Sequence, residues 1–305
     1  MAGPDAPAVY LSCVEHEFGD PVPLSTLADA EVQANLDLLT GEGLRDCRVA
    51  TSPPVEMAAA SVRRTLRAAQ LPEPDAVVYC CDTPEPGVAP AAVAGDLAAA
   101  VGIPTTPVVA AGGGGCGNLG PGLRVARGLL FTEGCSNVVL VTADRAAGST
   151  RYLPHDLTVL SDGAASCVVG TAPLGPAFRL LGIASTANAA AAAGGLGAAK
   201  AVVAGVARAT RRVLAAAGLT PADCRYLVTG NYGAAVRSLL ASAAGFPRHA
   251  VHAPGVADLA HCFAADALAG LRGLVADGAV AGGDRLVLLA TSPRSWSAVL
   301  VEHEA

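Results

Sequence analysis

A chain of 305 residues with 52% hydrophobic, 15% charged and 4% aromatic side chains is too long for one mini-domain and too apolar for disorder, and it fits about two units on a prior of roughly 150 residues each. A net charge of -6 excludes a polyanion-binding surface, which needs clustered Lys and Arg, so nucleic acid is not an expected partner. Nine cysteines without a CxxC pair fit a reduced, cytoplasmic setting, and with neither a secretory-type start nor a membrane-length apolar run, no membrane association is expected.

In chain order, apolar spacing predicts a helix over 61–70, a strand over 75–81, a helix over 118–131 and a strand over 137–143. The same series then returns: helix 205–217, strand 225–229, helix 262–276 and strand 285–291. An offset of 148 relates the two series. It pairs Leu71 with Leu219, Asp75 with Asp223, Arg63 and Arg64 with Arg211 and Arg212, and Gly122-Leu123-Arg124 with Gly270-Leu271-Arg272. The chain is thus a duplicated α/β unit, with an N-terminal half over 1–175, a C-terminal half over 176–305 and a crossover near 171–195. The low-complexity stretch Ala187 to Ala199 reads either as a connection or as the start of the following helix. Alternation of strands and helices predicts a mainly parallel sheet, and the runs VVLVTA and LVLLAT suit strands buried on both faces. Ligands of such sheets sit beyond the strand C-termini, which singles out residues 82–90, 111–121, 144–156 and 230–233.

Residues 106–131 read as a short strand, a glycine-dense turn holding Cys116, and a helix with Pro121 in its first turn. A cysteine there feels the positive end of the helix dipole, which favours thiolate, while the glycines let a substrate approach. It reads as a nucleophile or as a small buried hydrophobe. Gly115, Gly117 and Gly120 also spell GxGxxG, with Asp144 ending the next strand, a weak dinucleotide fingerprint. The offset places Ala264, beside His261 and Cys262, opposite Cys116, bringing a histidine to a related helix N-terminus.

These residues carry a resemblance, over nearly the whole chain, to the thiolase-fold condensing enzymes and most closely to β-ketoacyl-acyl-carrier-protein synthase III. GLRDCRVA, VEMAAASVRRTLRAAQLPEPDAVVYCCDTPE, GGCGNLGPGLRVARGLLFTEGCSNVVLVTADR and LSDGAASCVVG resemble successive segments of that family. The resemblance implies an α/β thiolase-like fold of two duplicated halves with helix-covered mixed sheets. It makes Cys116 the residue that takes up an acyl group as a thioester. The family's histidine and asparagine lie in HQAN and GNTS motifs; here those places read GNYG (Gly230 to Gly233) and AHCF (Ala260 to Phe263). The usual histidine is absent, either Gly230 or Asn231 takes its position, and His261 stands where the asparagine would be. Asn231 with His261 is similar to the order found in thiolases, and His261 then activates Cys116.

Other candidates are weaker. Asp162 reads as a turn residue, and Arg151 and Arg248 as solvated arginines rather than phosphate contacts. His16, His155, His249, His252 and His303 carry no pattern, and no spacing makes a zinc site.

The expected function is therefore an acyltransferase in fatty-acid-like, polyketide or other secondary-metabolite biosynthesis. It loads an acyl group from acyl-CoA or an acyl carrier protein onto Cys116 and passes it to a second substrate. The expected catalytic set is Cys116, His261 and Asn231. No tightly bound cofactor or metal is expected; the substrate is an acyl-CoA or a phosphopantetheine-linked acyl thioester. The family also implies a homodimer. The alternative is a catalytically weakened partner of a condensing enzyme that binds its carrier protein.

Overall fold

In a computed structural model, residues 7–190 and 195–304 are described. The first half runs β1 (Tyr10–Phe18), β2 (Asp20–Pro23), α1 (Ala30–Ala34), α2 (Leu36–Gly41), β3 (Asp46–Val49), α3 (Pro54–Ala68), β4 (Ala76–Cys80), α4 (Pro90–Val101), β5 (Val108–Ala111), α5 (Leu119–Thr132), β6 (Asn137–Asp144), β7 (Tyr152–Leu153), β8 (Thr158–Val159) and β9 (Gly163–Gly170). The second runs β10 (Ala177–Ala187), α6 (Gly195–Ala216), β11 (Tyr226–Val228), α7 (Ala234–Ala244), β12 (Val251–His252), α8 (Ala265–Ala276), β13 (Arg285–Thr291) and β14 (Ser295–Glu304).

Ten strands join in the order β12-β11-β13-β14-β10-β1-β9-β6-β4-β5, which reads the same outward from the β10–β1 seam in both directions. That seam is antiparallel and pairs Tyr10 with Arg179, Leu11 with Phe178 and Ser12 with Ala177. The expectation of a mainly parallel sheet is corrected. Only the outer pairs of each half, β6–β4–β5 and β13–β11–β12, are parallel, because helices cross over between them. The inner strands β9, β1, β10 and β14 pair antiparallel, and so do β6–β9 and β13–β14, whose connections return without a crossover helix.

Side chains alternate across each strand and so choose their layer. Val138 and Leu140 of β6, with Leu286 and Leu288 of β13, face a central core built on α5 and α8. Val139 and Val141 face α3 and α4 on one outer side, while Val287 and Leu289 face α6 and α7 on the other. The result is five layers, with α5 and α8 enclosed between the two halves of the sheet. Close approach there depends on glycine: a Cβ on Gly122 would lie 2.7 Å from Cys80 Sγ, and one on its mate Gly270 2.6 Å from Val228 Cγ1.

The element bounds follow the sequence with two corrections. Helix α3 begins at Pro54 rather than 61, since proline fits the first helical turn. Helix α6 starts at Gly195, ten residues before the expected start at 205, so part of the Ala/Gly stretch is helical, while residues 191–194 lie outside the described ones. No described helix is long and apolar enough to cross a membrane.

Between the halves one connection differs greatly in length. Three residues, 292–294, join β13 to β14, whereas residues 145–162 join β6 to β9 and carry β7 and β8. This excursion reaches over the second half, where Thr158 Oγ1 donates to the Asn231 carbonyl (2.8 Å) and Gly233 N donates to the Asp156 carbonyl (3.1 Å).

Candidate active site

Cys116 lies in a single 3-10 turn, Gly115–Gly117, between β5 and α5, and its side chain is partly exposed on a cavity of about 210 Å³. Two of the GxGxxG glycines have structural reasons: Gly115 holds left-handed backbone at φ 58°, and a Cβ on Gly120 would run into the Ser297 side chain, so α5 could not rest on β14. Asp144 is likewise engaged, accepting hydrogen bonds from Asp82 N (2.6 Å), Thr83 N (3.0 Å) and Thr83 Oγ1 (3.1 Å). Burial nevertheless pushes its carboxyl up to about 7.

His261 precedes α8 and is fixed on both backbone sides, its N–H donating to the Val159 carbonyl and its carbonyl accepting from Ser161 N, each at 2.9 Å. Its flanking residues Ala260 (φ 47°) and Phe263 (φ 51°) hold left-handed backbone, a strain of about 1–3 kcal/mol each that clusters at functional sites. The ring is 1% exposed. Its Nδ1 is 2.6 Å from Asp266 Oδ2, and the same carboxylate accepts from Asn231 N (2.7 Å), Asn231 Nδ2 (2.9 Å) and Cys262 N (2.9 Å). With Nδ1–H donated to Asp266, the acceptor-capable Nε2 is left buried with no hydrogen-bond partner among the described residues, and the Cys116 thiol lies near it.

Burial works against an imidazolium here, but the Cys116 sulfur and the Asp266 carboxylate outweigh it and hold His261 well above its ordinary range. Burial pushes the Cys116 thiol up, and His261 pulls it back toward thiolate. The arrangement is one in which a proton can pass from Cys116 to His261, with Asp266 holding the imidazole in the tautomer that can receive it.

Of the three residues expected in the site, the fold brings Cys116 and His261 together, while Asn231 spends its amide on Asp266. Gly230 has no room for a side chain, since a Cβ would lie 2.6 Å from the Tyr232 ring. That ring packs on His261 at 4.7 Å between centroids and donates or accepts through its hydroxyl at Thr291 Oγ1 (2.9 Å). An aromatic ring thus fills the space beneath the position where a histidine side chain would project from Gly230.

Other expected residues fall outside the relay. Asp162 is a buried tie, accepting from Ala50 N and Ala146 N (2.8 Å each) and from both terminal nitrogens of Arg151 (2.7 and 2.8 Å), so Arg151 is engaged rather than free for phosphate. Arg248 borders a separate surface hollow. His155 lines the mouth of the Cys116 cavity. Burial lowers His16 to about 4, and burial also lowers His252. No group of three described His, Cys, Asp or Glu residues is placed to hold a metal ion.

Asp266 was missed, and a signal for it existed. The offset of 148 maps it onto Asn118, four residues after Gly114, as Asp266 is four after Cys262. In isolation an aspartate in a first helical turn reads as a charge placed on the helix dipole. Tyr232 and Asp156 were also missed, because only the excursion over 145–162 and the fold of the 230–233 turn bring them to Cys116.

No protein-family model and no curated protein sequence matches the chain. Among solved structures, 3-oxoacyl-(acyl carrier protein) synthase III from Pseudomonas aeruginosa PAO1 superposes with a TM-score of 0.80 at 18% identity, over 98% of this chain and 99% of that one. ChlB3, an acyltransferase, gives 0.83 at 20% over 98% of both chains. The priming β-ketosynthase of the R1128 polyketide biosynthetic pathway gives 0.80 at 20% over 99% and 98%. The chain therefore has the thiolase fold of the synthase III type, as its resemblance implied.

Proposed function

We propose that this protein is an acyltransferase that carries an acyl group on Cys116 between an acyl-CoA or acyl-carrier-protein donor and a second substrate, in fatty-acid-like or polyketide-type biosynthesis. The observation that carries the reading is the grouping of a cavity-facing Cys116 with the buried His261 and Asp266 pair. Structural neighbours named as ketosynthases and as an acyltransferase support it.

The steps follow from the geometry. His261 Nε2 takes the Cys116 proton, and the thiolate attacks the donor's thioester carbonyl. The donor's C–S bond breaks, and the imidazolium returns its proton to the departing thiolate. The acyl-enzyme now holds a neutral His261, ready to take a proton from the incoming acceptor. Asn231 acts through Asp266, as a positioning residue whose two hydrogen bonds keep the carboxylate aimed at Nδ1.

Intact mass of the protein after mixing with a panel of acyl-CoA and acyl-carrier thioesters tests this. The wild type gains the acyl mass and Cys116→Ala gains none. Absence of any acyl mass on the wild type, with a carrier protein or a condensing subunit held in a stable complex, replaces the transferase reading with the partner reading.

A further inference from the structure

The cavity at Cys116 is lined mainly by apolar side chains, among them Leu153, Val202, Val236, Leu239, Leu240 and Pro293, yet one carboxylate enters it. That group is Asp156, which takes no part in the relay. Its backbone is clamped: its carbonyl accepts from Gly233 N (3.1 Å), its N–H donates to the Leu153 carbonyl (3.2 Å), and the next residue, Leu157, holds left-handed backbone at φ 47°. Strain of that kind at a non-glycine residue survives only where surrounding contacts over-determine it. The carboxylate itself receives no hydrogen bond from a described residue; only the nearby His261 and His155 rings favour its charge, against burial that pushes it up. The carboxylate is partly exposed on the cavity rather than sealed within protein, so it is open to accept a hydrogen bond from a ligand there.

We propose that Asp156 is the acceptor-recognition group of this site. It accepts a hydrogen bond from the hydroxyl or neutral amine of an otherwise apolar acceptor, and it repels an extender that carries its own carboxylate, such as a malonyl thioester. The inference rests on the acyl-enzyme reading above. In the transfer, the acceptor oxygen or nitrogen bonds to the acyl carbon and the C–S bond breaks, its electron pair returning to the Cys116 sulfur. The acceptor's proton passes to His261 Nε2, which restores the starting pair, and Asp156 only orients the acceptor.

The test uses isolated butyryl-enzyme, made with butyryl-CoA, from the wild type, Asp156→Asn and Asp156→Ser. Each is challenged with 1-hexanol, hexylamine or malonyl-N-acetylcysteamine, and loss of the butyryl mass is followed against acceptor concentration. Losing a hydrogen bond to a charged partner raises the KM for hexanol or hexylamine by about tenfold or more in Asp156→Ser, with a smaller change in kcat. Asp156→Asn keeps an acceptor oxygen and falls between, and both variants discharge faster than the wild type to the malonyl thioester. Equal KM values for the alcohol and amine in all three proteins overturn the proposal. So does a wild type that discharges to the malonyl thioester more readily than to either. Loading of the wild type with failure of both variants to load also overturns it, by assigning Asp156 to the donor step. Failure of the wild type itself to load falls on the acyltransferase reading instead.

Discussion

The two turns that lead into α5 and α8 share a backbone and divide the chemistry. Gly114 N donates to Asn118 Oδ1 at 2.9 Å, and at the same positions of the other half Cys262 N donates to Asp266 Oδ1 at 2.9 Å. Gly115 has φ 58°, and its mate Phe263 has φ 51°. On this common frame the first turn carries a thiol where the second carries Ala264, and the second carries a carboxylate where the first carries an amide. A charge is thus buried only in the copy where a histidine uses it. Duplication supplied two equivalent helix N-termini, and on the proposed function divergence gave one the nucleophile and the other the base.

The strongest way to break this division is Asp266→Asn, which gives the second turn the first turn's amide. His261 loses the charge that holds it above its ordinary range and the partner that fixes its tautomer, so loading of Cys116 slows by about 10²–10⁴-fold. The appearance rate of the acyl mass measures it. The corresponding strand ends differ as well, Asp144 closing β6 where Ser292 follows β13. An aspartate raised to about 7 in the fold is neutral there while ionised in the unfolded chain. Its contribution to stability is complete below the unfolded value and is lost as pH rises through the folded one. His16, lowered to about 4, contributes a rise in stability over much of the same range, so the Asp144 part is read as a difference: relative to Asp144→Asn, the wild type should lose on the order of 2–4 kcal/mol between about pH 4 and about pH 7 in chemical denaturation. The smallest effect sharpens the backbone comparison. Gly115→Ala must hold an L-residue in left-handed backbone as Phe263 already does, at a cost of about 1–2 kcal/mol in urea denaturation, with the turn retained.

Much of this was legible before any coordinates. Cys116 and His261 could be found because the repeat put them at equivalent helix starts, and the helix and strand bounds in each copy came from apolar spacing that both layers enforce. The antiparallel centre was not legible from periodicity, since β9 and β14 are buried on both faces like their parallel neighbours and carry no mark of direction. Asp266 hid as an ordinary first-turn acid, and Asn231 looked like a donor to substrate although the fold turns it to Asp266. Asp156 lay in the strand-end loop 144–156 that the sheet rule singled out but carried no pattern of its own, because its place at Cys116 is set by contacts more than seventy residues away in sequence.

The seam between β1 and β10 has a kinetic consequence. Tyr10 pairs with Gly170 on one side and Arg179 on the other, about 160 residues later. During synthesis β1 leaves the ribosome with no neighbour, and it stays unpaired until more than half of the chain has followed. Loop closure over that span is entropically slow, and an unpaired apolar strand is prone to wrong partners in the interval. The central strand of the finished sheet thus waits for both its partners until the first half is complete and the second has begun.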